Sequence, residues 1–266
     1  MKRLRSLPVA LTIAGSDSGG GAGIQADLKT FAADGVHGCS AITCLTAQNP
    51  RGVRAIQAAT ARMVIDQVEA VFDELPPEAV KTGMLYSADI IGAVTRFFSK
   101  SHRPPLVVDP VMVATSGAPL LKPAAMEKLK RELLPLAALV TPNLHEAQIL
   151  LKRPIRSLPE LKSAAEEIVS ECGCPALVKG GHLTDLDDAT DIFFDGRNWL
   201  VLKAPFVRGV DTHGTGCTYS AAITAGLALG HSLPQSVRLA KRFITQAIGS
   251  SQRIARHTAL NWLRKS

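Results

Sequence analysis

Short apolar segments alternate along this chain with segments whose apolar residues recur every three or four positions. Nearly all the apolar segments end at a Gly, Pro, Asn or Asp, which is typical of strands. The intervening segments, such as the one carrying Ile24, Leu28 and Phe31, have the spacing of helices with one apolar face. This alternation predicts a mostly parallel sheet covered by helices on both faces. The predicted strands are residues 9–14, 40–46, 79–82, 106–109, 138–141 and 176–179.

The chain is predicted to form a single domain over residues 1–266. Its length is sufficient for one large α/β core, and no linker rich in Pro, Gly or Ser and no internal repeat divides it. Residues 191–194 and 198–202, separated by an Asp-Gly-Arg turn, predict a β-hairpin.

Composition excludes several classes of protein. Hydrophobic residues make up 46% and charged residues 20%, which argues against disorder, and no apolar stretch approaches the roughly 18 residues that span a bilayer. Five cysteines, an odd number, have spacings that match no metal template, which indicates a reducing compartment. We therefore expect a cytoplasmic protein that does not bind a membrane.

The net charge of +7 suits anionic ligands such as nucleotides and phosphoesters. Nucleic acid is not expected, because the basic residues are scattered and aromatic residues make up only 5%. The basic residues near the C-terminus, Arg253, Arg256, Arg264 and Lys265, are predicted to lie on the solvated face of terminal helices.

A glycine-containing segment, residues 211–222 with the sequence DTHGTGCTYSAA, leads into a helical pattern that ends near Gly230. Gly214 and Gly216 allow backbone N–H groups to turn toward one point, and the helix N-terminus adds unpaired donors, so the segment predicts an anion site. Cys217 falls in the first helical turn, where this field favours a thiolate. The alternative is a turn before a core helix, with Cys217 as a small buried hydrophobic residue.

A second glycine-rich segment, residues 15–27, follows the first predicted strand. Its Gly21, Gly23 and Ala26 match a relaxed dinucleotide-binding fingerprint, which suggests a dehydrogenase. That fingerprint also needs a carboxylate at the end of the second strand, where residues 46–49 read TAQN. The glycines are better interpreted as allowing close backbone approach to another small ligand.

Three further strand ends carry the groups of a phosphoryl-transfer site. Asp109 precedes a proline, a position from which a carboxylate can hold Mg²⁺ directly or through water. Asn143 and Glu146 lie three residues apart at a predicted helix start, and Lys179 is followed by two glycines and His182. Each has a structural alternative, since Asp109 and Asn143 can cap turns, Glu146 can complete a capping box, and Lys179 can be an exposed charge.

Together these segments resemble a known family. The motifs GSDSGGGAGIQADLKTF, TAQN, KTGML, VVDPVM, TPNLHE, VKGGH and HGTGC are similar to those of the hydroxymethylpyrimidine/phosphomethylpyrimidine kinases of thiamine biosynthesis, within the ribokinase superfamily. The resemblance spans about residues 11–230. It implies a three-layer α/β/α ribokinase-like fold and an enzyme that uses ATP and Mg²⁺. It also implies phosphorylation of 4-amino-5-hydroxymethyl-2-methylpyrimidine and then of its monophosphate. We also expect a homodimer, although no residue fixes the oligomeric state.

The resemblance also implies roles for individual residues. Gln48 has an amide whose acceptor and donor match an aminopyrimidine edge, although a satisfied turn residue is the alternative. Pro50 departs from the Thr expected there and leaves the geometry of that loop open. The implied pyrimidine site is Gly15, Asp27, Gln48 and Met84; the implied catalytic and phosphate site is Gly214, Thr215, Gly216, Cys217 and Lys179; the implied ATP site is Lys179, His182, Asn143 and Gly214; and the implied Mg²⁺ ligands are Asp109 and Glu146.

Two other functions stay open. A pyridoxal or pyridoxine kinase would share the fold and the phosphoryl chemistry while accepting a larger pyridine ring. A non-catalytic protein that binds a vitamin precursor would keep the pocket and lose turnover, but retention of Asp109, Glu146, Lys179 and Cys217 argues against it.

Overall fold

A nine-stranded sheet forms the centre of the molecule. The computed structural model describes residues 6–100, 102–113, 120–181, 183, 187–210 and 212–263. The sheet order is β3-β2-β1-β4-β5-β6-β7-β8-β9, with parallel pairing from β2 through β7 and antiparallel pairing of β3, β8 and β9 with their neighbours. The strands are β1 Val9–Asp17, β2 His37–Asn49, β3 Gly52–Ala58, β4 Ala79–Thr82, β5 Leu106–Val108, β6 Leu139–Val140, β7 Ala176–Lys179, β8 Asp188–Phe194 and β9 Trp199–Pro205.

Helices cover both faces of this sheet. One face packs against α2 to α6 through one cluster of buried apolar side chains, and the other packs against α1, α7 and α8 through two. The helices are α1 Gly23–Ala33, α2 Ala61–Glu74, α3 Ala88–Phe98, α4 Pro123–Lys128, α5 Leu144–Leu151, α6 Leu158–Cys172, α7 Thr215–Ala228 and α8 Leu233–Gly249, with a π-helical turn at Leu129–Leu133 and a 3-10 turn at Leu134–Leu136 after α4. The predicted three-layer α/β/α architecture is confirmed. Among the described residues, no helix has both the length and the apolar composition needed to cross a bilayer.

All six predicted strands and the predicted hairpin, now β8 and β9, are present. The sequence analysis missed β3, an edge strand whose residues are mostly exposed and therefore lack an apolar alternation. It also missed the small C-terminal hairpin formed by β10, Gln252–Ile254, and β11, His257–Ala259. The helical prediction for the basic C-terminal residues is wrong for Arg253, which lies in β10, and for Arg256, which lies in the turn. Arg264 and Lys265 lie outside the described residues.

Strand order determines where ligands can bind. The strand order reverses at β1, because β2 pairs with one edge of β1 and β4 pairs with the opposite edge. Crevices outside the carboxyl ends of parallel strands at such a reversal are the usual ligand sites of open α/β sheets. The carboxyl ends of β1, β4, β5, β6 and β7 face this edge, and so does the N-terminus of α7.

Candidate active site

A cavity of about 750 Å³ opens at the carboxyl edge of the sheet. It is lined by most of the residues that the sequence analysis selected, which come from segments more than 200 residues apart. These are Gly15, Gln48, Met84, Asp109, Asn143, Glu146, Lys179, Gly214, Thr215, Gly216 and Cys217. Asp27 does not line the cavity, and His182 lies outside the described residues.

The predicted anion loop forms the N-terminus of α7. Gly214 is its N-cap with φ of +83°, a left-handed conformation that glycine adopts without strain. A side chain there would also overlap the carbonyl oxygen of Gly21, so the two glycine-rich segments touch through their backbones. The first turn of α7, beginning at Thr215, therefore presents backbone N–H groups and the positive end of the helix dipole to the cavity.

Lys179 lies beside this loop. Its Nζ donates to Asp109 Oδ1 at 3.2 Å, and a Cβ added to Gly216 would lie only 3.3 Å from the same Nζ. Burial alone would lower the pKa of Lys179, but the Asp109 and Glu146 carboxylates outweigh burial and raise it. Lys179 is therefore a permanent cation next to the anion loop.

Asp109 is held by two further contacts from neighbouring elements. Thr141 Oγ1 donates to its Oδ1 at 3.2 Å, and Ser220 Oγ, on α7, donates to its Oδ2 at 3.3 Å. Both carboxylate oxygens thus have hydrogen-bond donors, which fix the carboxylate between the sheet edge and α7.

Asn143 and Glu146 form the capping box of α5. Asn143 Oδ1 accepts from the Glu146 N–H, and Glu146 Oε2 accepts from the Asn143 N–H, both at 2.9 Å. Glu146 Oε1 also accepts from the Met112 N–H at 3.2 Å. The structural alternative for Glu146 is thus present, although the carboxylate still lines the cavity. Burial raises the pKa of Glu146 to about 7, Lys179 opposes this shift and Asp109 adds to it.

Cys217 lies in the first turn of α7, as predicted, but its predicted charge state is wrong. Loss of water around the thiol raises the pKa of Cys217 to about 12, and the nearby Lys81 ammonium only partly opposes this increase. The Asp27 and Asp109 carboxylates contribute to the same increase, and a hydrogen bond from the Gly23 backbone opposes it. Burial has the largest effect, so the resting side chain is a thiol at neutral pH.

The pyrimidine site differs from the prediction at Asp27. This residue is completely buried on α1, where its Oδ2 accepts from Thr12 Oγ1 at 2.7 Å and from Lys81 Nζ at 2.9 Å. Lys81, not Asp27, reaches the cavity wall. Burial alone would lower the pKa of Lys81, but the Asp27 carboxylate raises it, so Lys81 remains an ammonium. Asp27 therefore pairs with a charge at the cavity wall and does not itself line the cavity.

The other three predicted pyrimidine-site residues lie on the cavity wall. A Cβ at Gly15 would come within 2.9 Å of Cys44 Sγ, so a larger residue there would force the Cys44 side chain to move. Pro50, the departure from the family pattern, lies in the turn between β2 and β3, beyond Gln48. That turn is closed by a hydrogen bond from the Arg51 N–H to Asn49 Oδ1 at 2.8 Å.

Asp17, Lys81 and His213 are among the polar residues of the cavity wall that sequence reasoning missed. Lys81 had a detectable signal, because a lysine inside a short apolar strand requires a buried partner. Asp17 and His213 were inside quoted motifs, but their 3.2 Å contact joins residues 196 positions apart, which no local pattern predicts.

Comparisons with known proteins agree with this geometry. The model of the phosphomethylpyrimidine kinase family matches residues 17–260. A hydroxymethylpyrimidine/phosphomethylpyrimidine kinase of Rhizobium meliloti is 50% identical over 250 residues, covering 92% of this chain and 92% of that protein. The enzyme of the same name from Bacillus subtilis is 44% identical over 243 residues, covering 91% of this chain and 90% of that protein.

Solved structures show the same fold but do not by themselves separate the two kinase activities. A phosphomethylpyrimidine kinase from Clostridium difficile 630 is 44% identical with a TM-score of 0.80, covering 91% of this chain and 99% of that chain. An ADP complex of Bacillus subtilis pyridoxal kinase is 35% identical with a TM-score of 0.87, covering 96% and 98%. The fold is therefore ribokinase-like, and sequence identity distinguishes the pyrimidine kinases from the pyridoxal kinases better than shape does. Because the family model matches residues 17–260, which is most of this chain, the chain belongs to the phosphomethylpyrimidine kinase family.

Proposed function

We propose that this chain transfers phosphate from ATP to 4-amino-5-hydroxymethyl-2-methylpyrimidine and then to the resulting monophosphate, within thiamine biosynthesis. One observation carries the proposal: a single cavity holds an anion loop at the N-terminus of α7, the cation of Lys179 and the amide of Gln48. The loop and Lys179 suit a transferring phosphoryl group, and the amide suits an aminopyrimidine.

The other half of the cavity supports an ATP site. Its wall includes the apolar residues Phe206, Val207, Ile244 and Ile248, which offer a surface for the flat adenine ring. From there a triphosphate extends toward Asn143, Lys179 and the Gly214 loop. Lys179 and the loop N–H groups then stabilise charge on the transferring phosphoryl, since positioning and electrostatics dominate such reactions.

Mg²⁺ is part of the proposal, with Asp109 and Glu146 as its protein partners. The two carboxylates lie on one cavity wall, and each already accepts hydrogen bonds at both oxygens. In the described ranges, no group of three or more His, Cys, Asp or Glu side chains is arranged to hold a metal. This fits an ion that keeps most of its waters and binds phosphate oxygens. Such an ion would neutralise charge on the phosphates.

A Cys217 thiolate could act as the general base that accepts the proton of the acceptor hydroxyl, but a thiol does not suit that role. A group with a pKa of about 12 is not a resting base at neutral pH. We propose that Cys217 forms the part of the cavity wall that contacts the acceptor hydroxyl, and that Lys81 places a positive charge beside it. Because the transition state for phosphoryl transfer is loose, positioning of the hydroxyl matters more than early removal of its proton.

We also propose that the protein is a single domain, forms a homodimer and is located in the cytoplasm. All five cysteines, which lie within the described residues, are unpaired, as expected in a reducing compartment. On the β2–β3 hairpin, Leu45 and Val53 are 52% and 38% exposed, which favours a covering partner. Light scattering after size exclusion measures the dimer directly.

A coupled ADP-release assay tests the function. Three acceptors are compared: the pyrimidine alcohol, its monophosphate and pyridoxine. We expect turnover with both pyrimidines and a lower kcat/KM with pyridoxine. Preference for pyridoxine would instead assign the chain to the activity of its pyridoxal kinase neighbours, and absence of turnover with all three would support a binding protein.

A further inference from the structure

Asp17, at the end of β1, joins two loops of the cavity. Its carboxylate accepts from the backbone N–H groups of Gly19, Gly21 and Ala22 at 2.7, 3.1 and 2.9 Å. Oδ2, the oxygen that accepts from Gly21 and Ala22, also lies 3.2 Å from Nε2 of His213, in the anion loop. With so many donors around it, this carboxylate acts as an acceptor.

Charge at Asp17 follows from the same contacts. Burial alone would raise the pKa of Asp17, but the hydrogen bonds from His213 and from the Gly19 and Ala22 N–H groups outweigh burial and lower it. An ionised carboxylate has no proton to give. The His213 Nε2 atom must therefore carry the proton that lies between the two residues.

Gln48 lies between His213 and Thr46. Its backbone is fixed by Ser18, whose Oγ donates to the Gln48 carbonyl at 2.7 Å and accepts from the Gln48 N–H at 2.8 Å. The Oε1 position of its side-chain amide lies 3.2 Å from Thr46 Oγ1, and the Nε2 position lies 3.4 Å from His213 Nε2.

Counting protons determines which end of the amide is which. The Thr46 hydroxyl has a single proton, and it donates to the Ser16 carbonyl at 2.8 Å, so it can only accept from Gln48. His213 Nε2 carries one proton, directed toward Asp17, and a protonated ring nitrogen has no lone pair, so it cannot accept from Gln48 and can only share that N–H with the amide oxygen of Gln48. Both neighbours therefore require the Gln48 amide to be rotated by 180°, so that its nitrogen faces Thr46 and its oxygen faces His213.

We propose that the Asp17–His213 pair is a specificity-determining device, which holds the Gln48 amide in one orientation from the cavity wall. His213 is a positioning residue here, since it acts on the ligand through Gln48. The inference rests on the proposed function and adds to it a reason for choosing one pyrimidine over another.

Hydrogen bonding by the fixed amide leaves a defined pattern for the ligand. An amide has two N–H donors and two oxygen lone pairs, of which Thr46 and His213 use one each. One donor and one acceptor remain, which match the ring nitrogen and the amino group of a 4-aminopyrimidine. The 4-oxo analogue carries the reverse pattern, an oxo acceptor beside a ring N–H donor. It can pair only if the amide turns over, which breaks both structural contacts.

The test compares kcat/KM for the 4-amino and 4-oxo alcohols within each variant, so that any loss of folded protein cancels in the ratio. We expect the parent to favour the amino compound by at least about a hundredfold, as sites built around a hydrogen bond do. His213→Leu, which removes the N–H and keeps bulk, should reduce this preference by about tenfold or more. His213→Gln, whose Nε2 can still donate, should retain most of it.

Thr46→Val perturbs the opposite end of the amide and provides a second test if His213→Leu does not fold. It should reduce the same preference. No activity of the parent on the amino alcohol overturns the proposed function itself. Activity without discrimination in the parent, or an unchanged ratio in both His213→Leu and Thr46→Val, overturns only the role of the Asp17–His213 pair.

Discussion

Replacing Gly214 by alanine tests whether the anion loop depends on close packing between two backbones. Gly214 has φ of +83°, and a Cβ there would overlap the carbonyl oxygen of Gly21. Gly230 is a matched control, with φ of +82° and no atom within 4 Å of an added Cβ. The left-handed conformation costs an alanine about 1–2 kcal/mol at either position. Only Gly214→Ala must also displace the loop.

Thermal unfolding and kinetics separate these two effects. Each variant should lose about 2–4 °C in Tm per kcal/mol of lost stability. A displacement of about 1 Å in a catalytic loop can cost 100-fold, so we expect kcat/KM to fall by about that factor in Gly214→Ala and to stay within about twofold in Gly230→Ala. Equal activity of the two variants would refute the role of the Gly21–Gly214 contact in shaping the anion site.

Three further predictions concern titrating groups. Alkylation of Cys217 by iodoacetamide should still accelerate at pH 10, because the pKa of its thiol is raised to about 12; a plateau below pH 8 would show a thiolate. Cys217→Ala should slow both phosphorylation steps by similar factors, and a loss confined to the alcohol would restore the general-base hypothesis. The pKa of Glu146 is raised from 4.5 to about 7, so its contribution to stability is present at low pH and is lost as the pH rises through 7. Glu146→Gln should therefore gain up to about 3 kcal/mol relative to the parent between pH 4.5 and pH 8 in urea unfolding, and a constant difference would contradict this.

The sequence predicted the sheet well because its strands are buried and bounded by turn residues. β4 and β7 were located to the residue, since their side chains are almost all buried and each strand begins with apolar residues. β3 was missed because an exposed edge strand has no buried face to produce a pattern. An alternation of apolar residues arises from burial of one face, so a strand with no buried face does not show it.

The site was predicted less evenly. Motifs selected Lys179 and Gln48, but they did not show that Asp27 lies behind Lys81, away from the cavity. Nor did they show that burial raises the pKa of the Cys217 thiol to about 12. These results depend on distances between segments far apart in sequence, which only the folded arrangement supplies.

Product analysis tests the central claim most directly. The chain is incubated with ATP, Mg²⁺ and the aminopyrimidine alcohol, and the products are followed by mass spectrometry. We predict that the monophosphate appears first and is then converted to the diphosphate, with two ADP released for each diphosphate formed. Release of ADP without any phosphorylated pyrimidine, or no consumption of ATP, would contradict the assignment of this cavity to pyrimidine phosphorylation.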